Sequence, residues 1–343
     1  MNLEFHYHIT WLIAARAGLP PEDVKILAAA SQYTDDNDSI FEIDKDRPTA
    51  YRNYISQTMN ILKPKAKLIR IYPIFHFIPG DPMAESGWRA DGRMHWLNTT
   101  PDSENANRII DTALKTGDLY RIGIGCHGYA DTWAHQNFTG YYNEFNAMTG
   151  PLSIAIPNIG HAEALHNPDQ IALVWKDTRL IKKRVDNRKR FLNAAVCILR
   201  KLAKFTDPKM TEKELQKRAT ALKKDLDTCI GRQDQANQFA NKRINRYNNL
   251  ATKPEYGETE ITPYDEYAWF KEAVNETVHG LPDRSDLTLT HWDPFTDTYA
   301  WKNRETYKQT HWYRFQQAVK QHQDDTWQIL KEKNLKGLEL PEM

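Results

Sequence analysis

The chain is 343 residues long, 40% hydrophobic and 27% charged, with 15 Gly and 17 Pro, a usage that excludes collagen-like and low-complexity classes and fits a folded protein. Lys and Arg number 46 against 45 Asp and Glu, yet 21 of those cations and only 8 of the acids fall between residues 176 and 250, so a basic segment is offset by an acidic remainder. No apolar run approaches the roughly 18 residues of a membrane span. The opening Met-Asn-Leu-Glu-Phe-His has no basic stretch ahead of an apolar core, so the expected location is cytoplasmic, or exported without a cleaved signal. Cys126, Cys197 and Cys229 are too scattered for a disulfide framework or a thiolate zinc knuckle, and a metal here needs His and carboxylate ligands.

Residues 5–17 read as an amphipathic helix stopped by Gly18, and Pro20-Pro21 opens a second helix that closes on Tyr33-Thr34-Asp35-Asp36-Asn37-Asp38. The run from Leu68 to Ile78, interrupted by Pro73 and closed by Pro79-Gly80, reads as extended, with loop between Gly80 and Pro101. Asp102 or Ser103 caps a helix broken by Gly117, and another is expected from about Asp118 to His135. Residues 137–160 read as a long ordered loop, with a helix beginning near His161. Helices are expected over about 170–204, 210–250, 263–279 and 304–334, broken at Asp207-Pro208, at 252–262 and between Gly280 and Pro294. The fold class is mainly α, a multi-helix bundle with long ordered loops.

The strongest chemical signal is Cys126-His127-Gly128-Tyr129-Ala130-Asp131-Thr132-Trp133-Ala134-His135, in which His, Asp and His recur every four residues along one helix face. His127 and His135 differ by roughly 12 Å of helical rise, too far for one small ion, so the spacing favours two or more metals with Asp131 between them. Imidazoles with carboxylates suit zinc best among common metals. The competing reading is a polar stripe whose histidines only hydrogen-bond. His76 sits in an apolar run, and His6 and His8 sit on the first helix about 200° apart, so at most one of that pair can face a shared site.

The order of these pieces resembles the zinc-dependent phospholipase C and single-strand nuclease superfamily. In that superfamily a His on the first helix, an Asp ending the next, a His before a Pro-rich loop, an H-x-x-x-D-x-x-x-x-x-H helix and a later His with an acid supply a trinuclear zinc site. The resemblance covers about the first 170 residues and implies, in the same order, His6 (or His8), Asp35, His76, His127, Asp131, His135 and His161 as ligands, and two to three zinc ions. Here the spacing from Asp131 to His135 is two residues shorter, and Leu165 stands four residues after His161 in place of an acid, with Glu163, His166 and Asp169 as substitutes. Secreted members also use the amino and carbonyl groups of a Trp freed by signal cleavage, whereas Trp11 is internal. The chain is similar as well to a group of uncharacterised bacterial proteins sharing F-H-Y, A-S-Q-Y-x-D-D and I-G-H-A-E-A-x-H-N-P-D, the last carried by residues 159–169.

The reaction class this implies is metal-dependent hydrolysis of a phosphoester, with Asp35 as general base as well as ligand. The rival is a non-catalytic helical metal-binding protein with a basic docking surface for nucleic acid or anionic lipid, centred on Lys182-Lys183-Arg184 through Arg188-Lys189-Arg190. Trp88, Trp96, Tyr141, Tyr142 and Phe145 are candidates for a substrate groove, or for core. The expected organisation is one domain over 1–343, with the metal site in about 1–170 and a helical, basic completion in about 171–343.

Overall fold

The computed structural model describes residues 1–58, 70–148, 158–277 and 298–332. It is mainly helical, and the chain punctuation explains where the first helices begin and end. A wide helical turn, Glu4–Ile9, runs into α1 (Thr10–Ala17). Gly18 then stops the helix in the left-handed region at φ 102°, where glycine carries no Cβ penalty. Pro21 occupies the first position of α2 (Pro21–Asp36), where its missing N–H removes no helical bond. Ser103 caps α3 (Glu104–Thr116), and Asp118 caps α4 (Leu119–Ala134) by accepting from the Tyr120 and Arg121 amides.

Helix α4 is the axis of the molecule, buried from Tyr120 to Ala134. One apolar cluster packs Ile122, Tyr129 and Trp133 with residues from both ends of the sequence, among them Leu12, Phe191, Leu222 and Tyr247. A second packs Tyr120 and Ile124 with Phe270, Trp301 and Phe315. The close approach of its neighbours depends on missing side chains. A Cβ on Gly123 would stand 2.6 Å from the Leu27 carbonyl oxygen of α2, and one on Gly128 would stand 2.9 Å from the Phe75 carbonyl oxygen.

The later half consists of α5 (Asn187–Thr206), α6 (Glu212–Ile230), α7 (Ala240–Ala251), α8 (Ala268–Ala273) and α9 (His311–Glu332). Small sheets trim the bundle. Strands β1 (Glu42–Ile43), β2 (Tyr51–Arg52), β5 (Val274–Thr277) and β6 (Thr298–Trp301) lie in the order β2-β1-β6-β5, and β3 (Val174–Lys176) pairs antiparallel with β4 (Arg184–Asp186). None of the described helices is long and apolar enough to cross a membrane.

Five expectations need correction, the first being the helix expected over 210–250, which is parted into α6 and α7 at residues 231–239. The extended run contains a wide helical turn, Tyr72–His76, because Pro73 at its start sacrifices no helical bond. The helix expected near His161 is a single turn, Ala162–Ala164. The helix expected from residue 170 starts only at Asn187, since Trp175 and Val185 pair across the β3–β4 hairpin. The stretch 263–279 keeps only α8 as helix before β5 pairs with β6. Residues 68–69, 149–157 and the break expected between 280 and 294 lie outside the described residues.

Candidate metal centre

Helix α4 presents His127 and Asp131 one turn apart, and three other segments bring ligands to them. The first is the turn Glu4–Ile9, which is pinned to α7 by a buried network. Arg243 donates to both carboxylate oxygens of Glu4 at 2.7 and 3.0 Å and to Asp234 at 2.8 Å, while the Tyr247 hydroxyl donates to Glu4 at 2.8 Å. That clamp turns His6 inward, so its Nε2 lies 3.1 Å from Asp131 Oδ1 and its ring stacks on His127 at 3.8 Å between centroids. His8 packs instead near Tyr247, and burial lowers its pKa to about 4. The second segment is the end of α2, which supplies Asp35. The third is the turn at residues 72–76, which Gly128 admits against α4 and which supplies His76.

Asp131 Oδ2 stands 3.2 Å from both His76 Nδ1 and His127 Nε2, and Asp35 Oδ1 stands 3.6 Å from the same two nitrogens. Beyond the C-terminus of α4, His135 Nε2 and His161 Nε2 each lie 3.4 Å from an oxygen of Asp169. Among the described residues, three groups are therefore close enough to hold metal ions: His6, His127 and Asp131; Asp35, His76 and His127; His135, His161 and Asp169. His127 belongs to two of them, and His135 shares no group with His127.

The tautomers are fixed by carbonyls. A carbonyl oxygen only accepts, so each of these contacts places a proton on the facing ring nitrogen. His76 Nε2 donates to Ser56 O at 2.9 Å, His127 Nδ1 to Ser31 O at 2.7 Å, His135 Nδ1 to His76 O at 2.8 Å and His161 Nδ1 to Leu165 O at 2.9 Å. The opposite nitrogen of each ring is left as a lone pair aimed at the carboxylates, the arrangement that orients metal-binding imidazoles. His76 Nδ1 and His127 Nε2 face each other at 3.0 Å. Two bare lone pairs at that separation repel, so either a proton on His127 Nε2 or a metal ion beside the pair belongs there.

Electrostatics point the same way. Burial alone would raise the pKa of Asp35, but His127, His6 and His76 outweigh it and hold the carboxyl below its ordinary value. Asp131, similarly opposed by burial, is held well below by His135, the Met1 ammonium, His127 and His6. His6 falls to about 3 through burial, reinforced by His127 and the Met1 ammonium, and burial also lowers His76 and His161. For His127 burial works downward, but Asp35 and Asp131 prevail and raise it. The carboxylates of Asp35, Asp131 and Asp169 are thus held ionised and the imidazoles of His6, His76 and His161 neutral, the protonation state that metal binding requires, while His127 is drawn toward the proton that a bound ion would displace. A zinc–nitrogen bond of about 2.0–2.1 Å in a tetrahedral site sets neighbouring ligands about 3.3 Å apart, and the His–carboxylate contacts of 3.1–3.6 Å given above bracket that value.

The floor of the site is closed and its rim is open. His6, His127 and Asp131 are buried, whereas the side chains of Asp35, His161 and Asp169 are 22%, 19% and 13% exposed. The rim opens on a cavity of about 410 Å³ that also meets Gln57, Tyr72, Phe77 and His166.

Sequence reasoning missed several participants. Gln57 Nε2 donates to Asp35 at 3.3 Å, Phe77 stacks on His135 at 4.2 Å, and the carbonyl anchors are invisible to residue type. Leu165, where the superfamily pattern has an acid, contributes its carbonyl instead and lies at φ 53°. Of the substitutes weighed for that acid, Asp169 joins the ligand group. Glu163 accepts from the Met148 amide, and His166 is exposed. The amino group of Met1 donates to Asp131 and stands 3.5 Å from Asp169. Burial would depress that ammonium, but Asp131, Asp169 and Asp35 raise its pKa to about 10.

None of the aromatic residues proposed for a groove lines this cavity. Trp88 and Trp96 are exposed on the preceding loop, Tyr142 is exposed, Tyr141 packs against the second apolar cluster, and Phe145 is buried beneath Arg89.

Comparison with curated proteins and with solved structures finds no match. A family profile does match, over residues 1–330, and the chain belongs to that family, the family of unknown function DUF6765.

Proposed function

We propose that this chain is a metal-dependent phosphoester hydrolase with two to three zinc ions held by His6, Asp35, His76, His127, Asp131, His135, His161 and Asp169. One observation carries the reading: four histidines each commit one N–H to a main-chain carbonyl and aim the other nitrogen at ionised carboxylates. A merely polar stripe has no need of four such anchors. Zinc is favoured over magnesium or calcium because imidazole dominates the donor set.

When bound, ions of this kind supply a water of lowered pKa and positive charge beside a phosphoester. The chain's own residues do the rest. Asp35, partly exposed at the cavity and steadied by Gln57, takes the proton from the attacking water. Asp131, buried beneath it, keeps His6, His76 and His127 converged. The open rim at Asp35, His161 and Asp169 favours a catalytic over a purely structural centre, because substrate can reach it.

Turnover of a small chromogenic phosphodiester by zinc-reconstituted protein tests the reading. Activity is expected to vanish with chelator and to fall at least a hundredfold, about the low end of what a positioned base contributes, in Asp35→Asn with zinc retained. Stoichiometric metal with no turnover of a diester, phosphatidylcholine, single-stranded DNA or RNA, or nucleotides would leave the non-catalytic reading in its place.

A further inference from the structure

We propose that the face formed by the loop after Gly80 and the β3–β4 turn docks on the surface of an anionic lipid bilayer. The observation behind this is a convergence that the sequence does not display. Main-chain pairing of Arg89 with Leu180, and of the Ile181 amide with the Trp88 carbonyl at 3.2 Å, sets Trp88 beside Ile181 and the basic run that follows it. Met83, Trp88 and Ile181 are 64%, 53% and 59% exposed, a large apolar outlay for neighbouring positions. The indole N–H already donates to the Met83 carbonyl at 3.1 Å, so burying the Trp88 ring in lipid leaves no donor unsatisfied.

Cations surround this apolar edge. Residues 176–190 hold eight Lys or Arg against two Asp. Both acids are occupied, Asp177 by Arg179 and Asp186 as the cap of α5. Arg190 turns inward to the carbonyls of Trp133 and Ala134, and Arg188 pairs with Asp227. Lys182, Lys183, Arg184 and Lys189 stay exposed, with Glu85 alongside Lys182. Trp88, Ile181, Lys182, Arg184 and Lys189 line a groove of about 440 Å³.

Exposed Trp and aliphatic side chains ringed by Lys and Arg match the polarity gradient of a bilayer surface, where the apolar tips sink and the cations meet lipid phosphate. A single-stranded nucleic acid is served less well, because Met83 and Ile181 offer no ring on which a base can stack. The inference does not rest on the metal centre or on the proposed hydrolysis.

The test is sedimentation of the full chain with vesicles of phosphatidylcholine alone and of phosphatidylcholine mixed with phosphatidylserine. Binding is expected to the mixed vesicles only, and to weaken with salt. Removing Lys182, Arg184 and Lys189 together as alanines is expected to weaken it roughly a hundredfold, at about fivefold per cation. Trp88→Ala with Ile181→Ser is expected to weaken it at least tenfold with charge unchanged. All five positions are on the surface, and coincident unfolding curves verify that the variants fold. No binding, equal binding to neutral vesicles, indifference to both variant sets, or retention of a single-stranded oligonucleotide on this face without vesicle binding would overturn the proposal.

Discussion

His76 Nδ1 and His127 Nε2 stand 3.0 Å apart, each ring having given the N–H on its other nitrogen to a main-chain carbonyl. This pair ties the wide turn at residues 72–76 to α4, and only a glycine at position 128 permits the approach. Gly128→Ala is expected to push the Phe75 carbonyl away, separating the two imidazoles. Overpacking of this kind costs about 1–3 kcal/mol. Thermal unfolding with and without zinc checks the prediction: the variant should lose more stability with zinc present than without it.

Asp131 is placed to hold the centre together, with one oxygen toward His6 and the other toward His76 and His127. Asp131→Asn is expected to remove more than one equivalent of metal. Elemental analysis of the purified variant decides it, since loss of a single ion or of none would deny the residue that central role.

The clamp of Arg243 on Glu4 fixes the turn that carries His6. Replacing Arg243 by Met leaves the Glu4 carboxylate buried without its cation, at an expected cost of about 3–5 kcal/mol. Adding Glu4→Gln in the same chain should recover part of that loss. Denaturant unfolding of the single and double variants measures the difference.

His8 gives the pH dependence a sign. Its folded pKa of about 4 lies below the unfolded value of 6.5, so as pH falls below 6.5 the unfolded chain takes up a proton that the folded chain refuses. Stability from this group is complete above 6.5 and lost as pH falls toward 4, by up to about 3 kcal/mol. His8→Phe, which keeps a ring near Tyr247, is expected to flatten that part of the profile. Unfolding curves at pH 7 and at successively lower pH would show parallel losses in both proteins if His8 contributed nothing.

How much of this could be read from the chain depends on the range of the forces involved. Gly18, Pro21 and Gly117 mark helix ends through their own backbone chemistry, and they were legible. So was the spacing of His127, Asp131 and His135, because helical periodicity is local. The choice of His6 over His8 was not, since it is made by Arg243 and Tyr247 more than two hundred residues away. The turn at residues 72–76 was hidden by a proline and β-branched neighbours that read as extended. The carbonyls of Ser31, Ser56, His76 and Leu165 were hidden because any residue type supplies a carbonyl. The β3–β4 hairpin was masked by the basic run, and with it the meeting of Trp88 and Ile181.

Metal stoichiometry tests the central claim most directly. Protein stripped with chelator, reconstituted with zinc and freed of excess is predicted to retain two to three equivalents by elemental analysis, and substantially fewer after His76→Ala with His127→Ala. Retention of no stoichiometric zinc, or of the same amount in that double variant, would contradict the account.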